Sequence, residues 1–283
     1  MIKIIDGVLL AKTINKNTKN KVATLKNGNI NPHLAVILIG DNPESHLYVS
    51  IKEKKCKKLN IEFSKYLIPS SAEEKEIIYL IQSLNKDKNI TSIVLQLPID
   101  KKYNTEKIIS HIDPRKDVDG LGANSLFTAP TALAILEIIK SYKIKIKNKK
   151  IVLIGYGRLV GKPLEKLLRK KYPQINLSIC TSKTKNIKHI TETADLIISA
   201  VGKPHLIKAN MIKKGVVIID AGTSTQNAQI KKTTNQKQSQ TIGDVDFDDV
   251  KSLCSYITPP KGGVGPITVA KLLENTANFN NQS

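Results

Sequence analysis

The chain has 283 residues, of which 40% are hydrophobic, so it is long enough to bury the core of one large domain or two modest ones. Its formal charge of +21 is carried almost wholly by lysines, which are spread along the chain with few aromatic residues between them. A nucleic-acid groove would need clustered basic residues and stacking side chains. The charge therefore favours solvated lysine-rich faces and anionic small-molecule ligands, with a basic nucleic-acid-binding protein as an alternative.

The spacing of the cysteines and histidines indicates whether the chain forms disulfides, in which redox compartment it lies and whether it binds a metal. Cys56, Cys180 and Cys254 are far apart and odd in number, which argues against a disulfide framework and favours a reducing compartment. The histidines never pair at i, i+4 and never neighbour a cysteine at ligand spacing, so no metal site is predicted. No apolar run has the length of a signal sequence core or a membrane span. We therefore expect a cytoplasmic protein without a membrane partner.

Apolar runs typical of buried parallel strands alternate with segments of helical period in the first half of the chain. The predicted strands are 34–40, 63–69 and 92–98, and the predicted helices are 43–59, 72–86 and 104–111. This βαβαβ pattern predicts a parallel α/β domain over residues 1–140.

A second series of the same kind begins near Lys150 and predicts a further domain over residues 141–265. Its predicted strands are KIVLIG, LSIC, DLIISAVG, VVIID and SYI, and its helices are 161–171 and 186–193. A helix over 129–148 is predicted to cross between the domains, and a final helix over 266–279, within the C-terminal segment 266–283, is predicted to return to the first. The polar segment 223–241 is typical of a surface loop or hairpin. We expect two parallel-sheet α/β domains, the second Rossmann-like, joined by long helices with a cleft between them.

A glycine-rich turn follows the strand KIVLIG and leads into a helix. It runs Gly155-Tyr156-Gly157-Arg158-Leu159-Val160-Gly161, and Pro163 suits the first helical turn. Glycines let the backbone approach a pyrophosphate, and a helix N-terminus offers free N–H groups and the positive end of a dipole. In this context the turn predicts a dinucleotide site, although its spacing G-x-G-x-x-x-G departs from the usual G-x-G-x-x-G.

The residues after the next strand bear on which nicotinamide cofactor binds. NAD enzymes usually place a carboxylate there, on the ribose 2′-hydroxyl, but no Asp or Glu occurs between Glu165 and Glu192. Thr181, Ser182 and Lys183 instead offer hydroxyls and an ammonium that suit a 2′-phosphate. The sequence therefore favours NADP over NAD.

Four residues of the first half form a candidate reaction centre. Tyr48 and Lys52 share one face of a predicted helix, which is useful for proton transfer but also common among surface pairs. Gln96 lies near the end of the strand 92–98, where parallel strands line a ligand crevice. Asp119 suits an amino-pyrimidine edge, although turn chemistry explains the acidic turn equally well.

Seven motifs occur in order along the chain: Ile5-Asp6-Gly7, Gly40-Asp41-Asn42-Pro43-Glu44-Ser45, Gln96-Leu97-Pro98, Lys116-Asp117-Val118-Asp119-Gly120, Val160-Gly161-Lys162-Pro163, Ala200-Val201-Gly202-Lys203-Pro204 and Pro260-Lys261-Gly262-Gly263-Val264-Gly265-Pro266-Ile267-Thr268. Together they resemble the bifunctional methylenetetrahydrofolate dehydrogenase/methenyltetrahydrofolate cyclohydrolase family over nearly the whole chain. The resemblance implies oxidation of 5,10-methylenetetrahydrofolate with NADP and hydrolysis of the methenyl product to 10-formyltetrahydrofolate, in a homodimer formed through the cofactor domain.

The resemblance also implies roles for individual residues. Lys52 would transfer protons, with Gln96 tuning it, Tyr48 orienting it and Asp119 binding the pterin ring. Folate contacts are implied for Ser45, Tyr48, Gln96, Leu97, Pro98, Asp119, Gly262, Gly263 and Pro266. Dinucleotide contacts are implied for Gly155, Tyr156, Gly157, Arg158, Val160, Gly161, Pro163, Thr181, Ser182, Lys183, Ala200, Val201, Gly202 and Thr223.

Two other enzymes share part of this pattern. The family often has Gly-Arg-Ser where this chain has Gly155-Tyr156-Gly157, so a monofunctional cyclohydrolase with a degenerate redox site is an alternative. A short-chain dehydrogenase also combines a glycine turn with a Tyr-x-x-x-Lys pair, but there the turn comes first. In this chain Tyr48 precedes the turn, which disfavours that class.

Overall fold

A computed structural model describes residues 2–226 and 240–279. Its helices are α1 (Gly7–Asn27), α2 (Pro43–Leu59), α3 (Glu74–Lys86), α4 (Thr105–Ser110), α5 (Pro130–Ser141), α6 (Gly161–Lys171), α7 (Ile187–Thr191), α8 (Phe247–Val250) and α9 (Val264–Ala277). Its strands are β1 (Lys3–Ile4), β2 (His33–Ile39), β3 (Glu62–Ile68), β4 (Ser92–Leu95), β5 (Lys150–Ile154), β6 (Asn176–Cys180), β7 (Leu196–Ser199), β8 (Val216–Asp220), β9 (Ser224–Gln226), β10 (Gln240–Ile242) and β11 (Cys254–Ile257). Across the described ranges, none of these helices combines the length and the apolar character that a membrane span requires.

The chain folds as two compact units, which we name by their sheets. The six-stranded unit consists of Met1–Ala11 and Thr131–Thr268, and the three-stranded unit consists of Lys12–Pro130 and Val269–Ser283. This division differs from the boundary predicted at residue 140. Residues from Thr131 onward belong to the six-stranded unit, and the N-terminal segment joins it because β1 pairs in parallel with β11.

The three-stranded unit has a parallel sheet in the order β3-β2-β4, with helices on both faces. Leu34, Val36 and Leu38 of β2 belong to a hydrophobic core that also holds residues of α1, α2 and α9. The β2 residues between them belong to a second core, which holds residues of α3 and α4. Alternate side chains of one buried strand therefore serve both faces of the sheet.

The six-stranded unit has a parallel sheet in the order β1-β11-β8-β7-β5-β6. The chain passes from β5 to β6 on one side and then to β7 on the other side of β5. In the smaller sheet β2 lies between β3 and β4 in the same way. Such reversal points place ligand sites at the carboxyl ends of parallel strands, so both sheets have a topology suited to a bound ligand.

The predicted parallel α/β class is confirmed, and α2 and α6 have the predicted bounds. The helix predicted over 129–148 was too long, because α5 ends at Ser141 and Lys143 then adopts a left-handed backbone with φ of 51°. Helix α1 was not predicted. Its buried face includes Thr18, whose hydroxyl donates to the Ile14 carbonyl at 3.0 Å, so the apolar spacing is interrupted.

Two predictions concern segments that are only partly described. Strands β9 and β10 pair antiparallel at the two ends of the segment 223–241, as in a hairpin, and residues 227–239 lie outside the described residues. Helix α9 begins two residues before the predicted position 266. Residues 280–283 of the predicted C-terminal segment also lie outside the described residues.

Candidate active site

Lys52 lies at the centre of the candidate site of the three-stranded unit. Helix α2 carries it, and Asn42 caps the start of this helix by accepting a hydrogen bond from the Ser45 amide at 3.0 Å. The Nζ of Lys52 donates to Oε1 of Gln96 at 2.8 Å across 44 positions of sequence. The structure therefore brings together two residues that the sequence predicted to act together.

The side-chain amide of Gln96 has a fixed orientation. Its Nε2 donates to the Leu97 carbonyl at 2.7 Å, which leaves Oε1 to face Lys52. Gln96 follows β4 directly and is 8% exposed, and the peptide bond from Leu97 to Pro98 is cis. Gln96 thus offers Lys52 an acceptor, which both the charged and the neutral amine can use.

Burial and charge act in opposite directions on Lys52 and Asp119. Burial lowers the pKa of Lys52, because desolvation disfavours its charged form, and the negative charge of Asp119 opposes part of this decrease. Burial raises the pKa of Asp119, and the positive charge of Lys52 opposes part of this increase. Lys52 is therefore closer to neutrality at pH 7 than a solvated lysine is.

Ser45 and Tyr48 lie on α2, two turns and one turn before Lys52. Ser45 is 2% exposed, and within the described part of the chain its Oγ has no hydrogen-bond partner. A buried hydroxyl without a partner is unfavourable. Contact of Ser45 with folate stays a prediction. Tyr48 is 45% exposed, which leaves its ring accessible. That Tyr48 orients Lys52 stays a prediction.

The residues of the Lys-Asp-Val-Asp-Gly motif have different structural roles. The Nζ of Lys116 donates to three backbone carbonyls at the end of α3, at 2.8 to 2.9 Å. Asp117 is buried, and its carboxylate accepts from two amides of the turn that follows. Asp119 is the member whose charge acts on Lys52. Turn chemistry therefore explains Asp117, whereas Asp119 belongs to the candidate site.

The candidate site of the six-stranded unit begins with the glycine turn between β5 and α6. Gly155 has φ of 96°, and a Cβ there would lie 2.3 Å from the Ala200 carbonyl oxygen. A Cβ on Gly161 would lie 2.2 Å from the Gly155 carbonyl oxygen, whereas a Cβ on Gly157 would meet nothing within 4 Å. The outer glycines allow close packing of the turn, and Gly157 leaves its backbone open, which are the features that a dinucleotide-binding turn requires.

Other predicted dinucleotide residues lie in the same turn and at the start of α6. The hydroxyl of Tyr156 donates to the carboxylate of Glu165, which also accepts from Nε of Arg169 at 2.8 Å. The hydrogen bond from Tyr156 lowers the pKa of Glu165. Tyr156 is thereby tied to α6. The remaining predicted residues of this group are Arg158 in the turn, Val160 at the N-cap and Pro163 in the first helical turn.

The residues after β6 form a compact turn beside the glycine turn. The amide of Thr181 donates to Oγ1 of Thr184 at 2.9 Å, and the amide of Lys183 donates to Oγ1 of Thr181 at 3.3 Å. Ser182 and Lys183 are exposed at the tip. Since Cys180 pairs with the last residue of β5, this tip lies at the same edge of the sheet as the glycine turn.

The loop after β7 contains the predicted residues Ala200, Val201 and Gly202. The amide of Ala200 donates to the Ile154 carbonyl at 2.8 Å, which places the loop against the end of β5. The hydroxyl of Ser224 donates to the Gly202 carbonyl at 3.0 Å, so the neighbouring Thr223 lies by this loop as well. Three of the predicted dinucleotide segments therefore meet at one edge of the larger sheet.

The structure places the predicted folate residues Gly262, Gly263 and Pro266 in the six-stranded unit, before and within the start of α9. The amide of Gly7 donates to the Gly262 carbonyl at 2.9 Å, and a Cβ on Gly7 would lie 1.8 Å from the Gly263 carbonyl oxygen. Gly7, which belongs to the first of the seven motifs, therefore packs against the glycines of the seventh motif. Contacts of these residues with folate stay predictions.

Two buried carboxylates beside the loop after β7 were not predicted from the sequence. Asp244 is completely buried and accepts hydrogen bonds from residues of the loop after β7. Asp220 ends β8, and burial together with the charge of Asp244 raises its pKa to about 7. Asp220 occurs in the sequence Asp-Ala-Gly and Asp244 in the sequence Gly-Asp. A glycine this close to each aspartate was the sequence feature that could have indicated their packing.

Two family models match the chain along most of its length. Residues 5–119 match the model for the catalytic domain of tetrahydrofolate dehydrogenase/cyclohydrolase. Residues 129–283 match the model for the NAD(P)-binding domain of the same enzymes. The first range contains Lys52, Gln96 and Asp119, and the second contains the glycine turn.

Relatives of known name agree with these matches. The chain is 43% identical over 282 residues to the bifunctional protein FolD of Thermodesulfovibrio yellowstonii, covering 96% of this chain and 94% of the relative. The crystal structure of the bifunctional enzyme FolD from Campylobacter jejuni has a TM-score of 0.91 and 34% identity, with 99% of both chains covered. The Trypanosoma brucei enzyme, solved with NADP and an inhibitor, has a TM-score of 0.91 and 30% identity, with 99% of this chain and 98% of that one covered.

Proposed function

The chain belongs to the tetrahydrofolate dehydrogenase/cyclohydrolase family, and we propose that it oxidises 5,10-methylenetetrahydrofolate with NADP and hydrolyses the methenyl product to 10-formyltetrahydrofolate. The observation that carries the proposal is the hydrogen bond from Lys52 Nζ to Gln96 Oε1, at 2.8 Å, in a buried setting that lowers the pKa of the lysine. Lys116 donates to three backbone carbonyls, whereas the hydrogen bond of Lys52 is to a single side-chain amide.

In the hydrolytic step we assign Lys52 as the proton carrier. As water attacks the methenyl carbon, a C–O bond forms and the neutral amine of Lys52 accepts a proton from the water. When the carbon–nitrogen bond to N5 breaks, Lys52 returns that proton to N5. The hydroxyl of the intermediate loses its own proton to water as the formyl C=O bond forms, so hydrolysis of the methenyl cation releases one proton. Positioned proton transfer of this kind contributes about 10²- to 10⁴-fold to a rate.

Gln96 and Asp119 would set the hydrogen bonding and the protonation state of Lys52. Gln96 accepts one N–H of the amine. The second N–H and the lone pair of the neutral amine are then available to the substrate. Asp119 presents a carboxyl group that burial brings closer to the neutral form. We propose that this group binds the amino-pyrimidine edge of the pterin through paired hydrogen bonds.

NADP, when bound, supplies the hydride acceptor for the oxidation. The residues proposed to hold it are the glycine turn, the N-terminus of α6 and the loop after β7. Backbone amides and glycines at these positions suit a pyrophosphate. The exposed hydroxyl and ammonium of Ser182 and Lys183 suit a 2′-phosphate, which is why we propose NADP as the preferred cofactor.

The test follows the two reactions separately in one enzyme. Methylenetetrahydrofolate is supplied with NADP or NAD, and reduced nicotinamide and methenyltetrahydrofolate are recorded in parallel. The variant is Lys52→Met, which keeps the length of the side chain and removes the amine. The control is Lys54→Met, an exposed lysine on the same helix. We expect both activities in the parent and in the control, with faster reduction of NADP, and loss of hydrolysis in Lys52→Met.

Two outcomes would overturn parts of this proposal. If neither cofactor is reduced but added methenyltetrahydrofolate is hydrolysed, the protein is a monofunctional cyclohydrolase. If Lys52→Met hydrolyses as fast as the parent, Lys52 is not the proton carrier.

We also expect a homodimer and a cytoplasmic location. Light scattering on the purified protein tests whether it is a dimer.

A further inference from the structure

The carboxylate of Asp244 gathers three groups from the end of β7 and the loop after it. Its Oδ2 accepts hydrogen bonds from the Ser199 hydroxyl and the Val201 amide, each at 2.7 Å. Its Oδ1 accepts from the Lys203 amide, also at 2.7 Å. Asp244 is 0% exposed, so these bonds form without competition from water. One side chain therefore fixes alternate residues of a five-residue stretch of backbone.

A second aspartate and two glycines lock Asp244 in place. A Cβ on Gly222 would lie 2.1 Å from Cγ of Asp244, and a Cβ on Gly243 would lie 2.0 Å from Oδ2 of Asp220. Asp220 in turn accepts from the amides of Gly222 and Val245, at 2.9 and 3.0 Å. The two carboxylates and the two glycines thus interlock, and the position of Asp244 is set by close backbone packing.

The loop that Asp244 holds is part of the proposed dinucleotide surface. Ala200 bonds to the end of β5, and its carbonyl oxygen occupies the space that a Cβ on Gly155 would need. The side chain of Val201, between two of the groups that Asp244 binds, is 46% exposed. An exposed apolar side chain on a rigid loop beside the glycine turn is suited to contact a flat aromatic ring.

We propose that Asp244 is a positioning residue for dinucleotide binding, which fixes the loop 199–203 in the shape that receives the cofactor. The inference rests on the proposed function only for the identity of the ligand, NADP. The role of Asp244 is indirect, because its carboxylate oxygens already accept hydrogen bonds from the protein. Its effect must therefore appear in cofactor affinity, while folate hydrolysis does not depend on it.

The variant Asp244→Asn tests this role. Its amide has one acceptor oxygen and one donor nitrogen, so in either orientation at least one backbone amide of the loop loses its acceptor. The matched control is Asp195→Asn. Asp195 immediately precedes β7, at the opposite end of the same strand, where it accepts from the Lys150 amide at 2.8 Å. The two variants make the same chemical change at carboxylates beside opposite ends of β7, and only Asp244 contacts the loop.

Three quantities separate positioning from stability: the Kd of NADPH from fluorescence titration, the KM of NADP, and kcat for hydrolysis of methenyltetrahydrofolate. For Asp244→Asn we expect the Kd and the KM to rise about tenfold or more, as loss of a charge-assisted hydrogen bond predicts, with hydrolysis retained. A purely structural defect lowers the folded fraction, so kcat for hydrolysis falls and neither the Kd nor the KM moves. Asp195→Asn should behave in that second way.

If Asp244→Asn does not fold, Gly222→Ala makes the same test with the charge kept, because its methyl group displaces the carboxylate. A Kd of NADPH equal to that of the parent, in whichever variant folds, overturns the inference alone. A rise in the Kd no greater than that of Asp195→Asn also overturns it. A parent protein that binds no NADPH overturns the proposed redox function and this inference together.

Discussion

In both units the sheet reverses its winding at a central strand, β2 in one and β5 in the other, and the candidate sites lie at the carboxyl ends of strands. The two candidate sites nevertheless differ in the groups that form them. In the three-stranded unit a few side chains, led by Lys52 and Gln96, carry the chemistry. In the six-stranded unit glycines and backbone amides form the surface, and buried aspartates hold them.

This difference predicts different responses to substitution. A side-chain site should lose chemistry when one functional group changes, with its backbone intact. A backbone site should tolerate changes of exposed side chains and fail when a methyl group or a lost acceptor moves the chain. The predictions that follow test this contrast, from the largest expected effect to the smallest.

The substitution Gly155→Ala should abolish most of the redox activity. A Cβ there would lie 2.3 Å from the Ala200 carbonyl oxygen, and the residue has a positive φ, so the turn must shift. Displacement of a binding surface by about 1 Å can reduce a rate about a hundredfold. We expect NADP reduction to fall by about this factor, measured as kcat/KM, while hydrolysis of methenyltetrahydrofolate persists.

The substitution Gly157→Ala sharpens the same test, because the protein has room for a methyl group at that position. A smaller loss than in Gly155→Ala would show that packing of the turn is the sensitive feature. An equal loss would mean that the added methyl group meets the bound dinucleotide. Full redox activity of Gly155→Ala would contradict the backbone interpretation.

The substitution Lys116→Met should destabilise the protein without altering a reacting group. The ammonium of Lys116 satisfies three carbonyls at the end of α3, and hydrogen bonds from a charged group contribute about 1.5 to 3 kcal/mol. We expect the free energy of unfolding to fall by about 2 kcal/mol in urea titrations. Lys88→Met, which changes an exposed lysine just beyond α3, should stay within about 0.5 kcal/mol of the parent. Equal stabilities for the two variants would show that the three carbonyls do not need Lys116.

These residues also show what the sequence could and could not predict. Lys52 and Gln96 were predicted together because one lies on the first helix after β2 and the other follows a neighbouring parallel strand. The glycine turn was predicted because glycines between a strand and a helix leave a local signal. In both cases a recognisable pattern of strand and helix shows where each residue lies, so the site can be inferred although Lys52 and Gln96 are 44 positions apart.

The residues that were missed depend on contacts between distant segments. Asp244 and Ser199 are 45 positions apart, and only the fold shows that one carboxylate serves the loop after β7. Lys116 is one lysine in a lysine-rich chain, and its role depends on where α3 ends. Helix α1 was missed for a local reason, since the polar Thr18 lies within its buried face.

The substitution Gln96→Glu should reduce hydrolysis about tenfold at pH 7. A carboxylate near 2.8 Å from Nζ favours the charged form of Lys52, which raises the lysine pKa that burial otherwise lowers. Each unit of increase lowers the neutral fraction about tenfold, so the rising limb of the pH–rate profile moves to higher pH. Gln96→Met, which adds no charge, should not move the limb upward. An unchanged limb in Gln96→Glu would exclude neutral Lys52 as the working form.

The smallest effect concerns the buried aspartates of the backbone site. Burial raises the pKa of Asp220 to about 7, from an unfolded value of about 3.8, so the folded state binds its proton more tightly than the unfolded state does. Such a group contributes stability that is complete below the unfolded pKa and is lost as pH rises through the folded pKa. From pH 6 to pH 8 the loss should be about 1 kcal/mol.

The variant Asp220→Asn isolates this contribution, because the amide does not titrate and all other groups are common to both proteins. The free energy of unfolding at pH 6 minus that at pH 8 should be larger for the parent than for the variant by about 1 kcal/mol. The variant also loses an acceptor for the Gly222 or the Val245 amide, but that cost is present at both pH values and cancels in the difference. Equal differences would mean that Asp220 is ionised throughout this range.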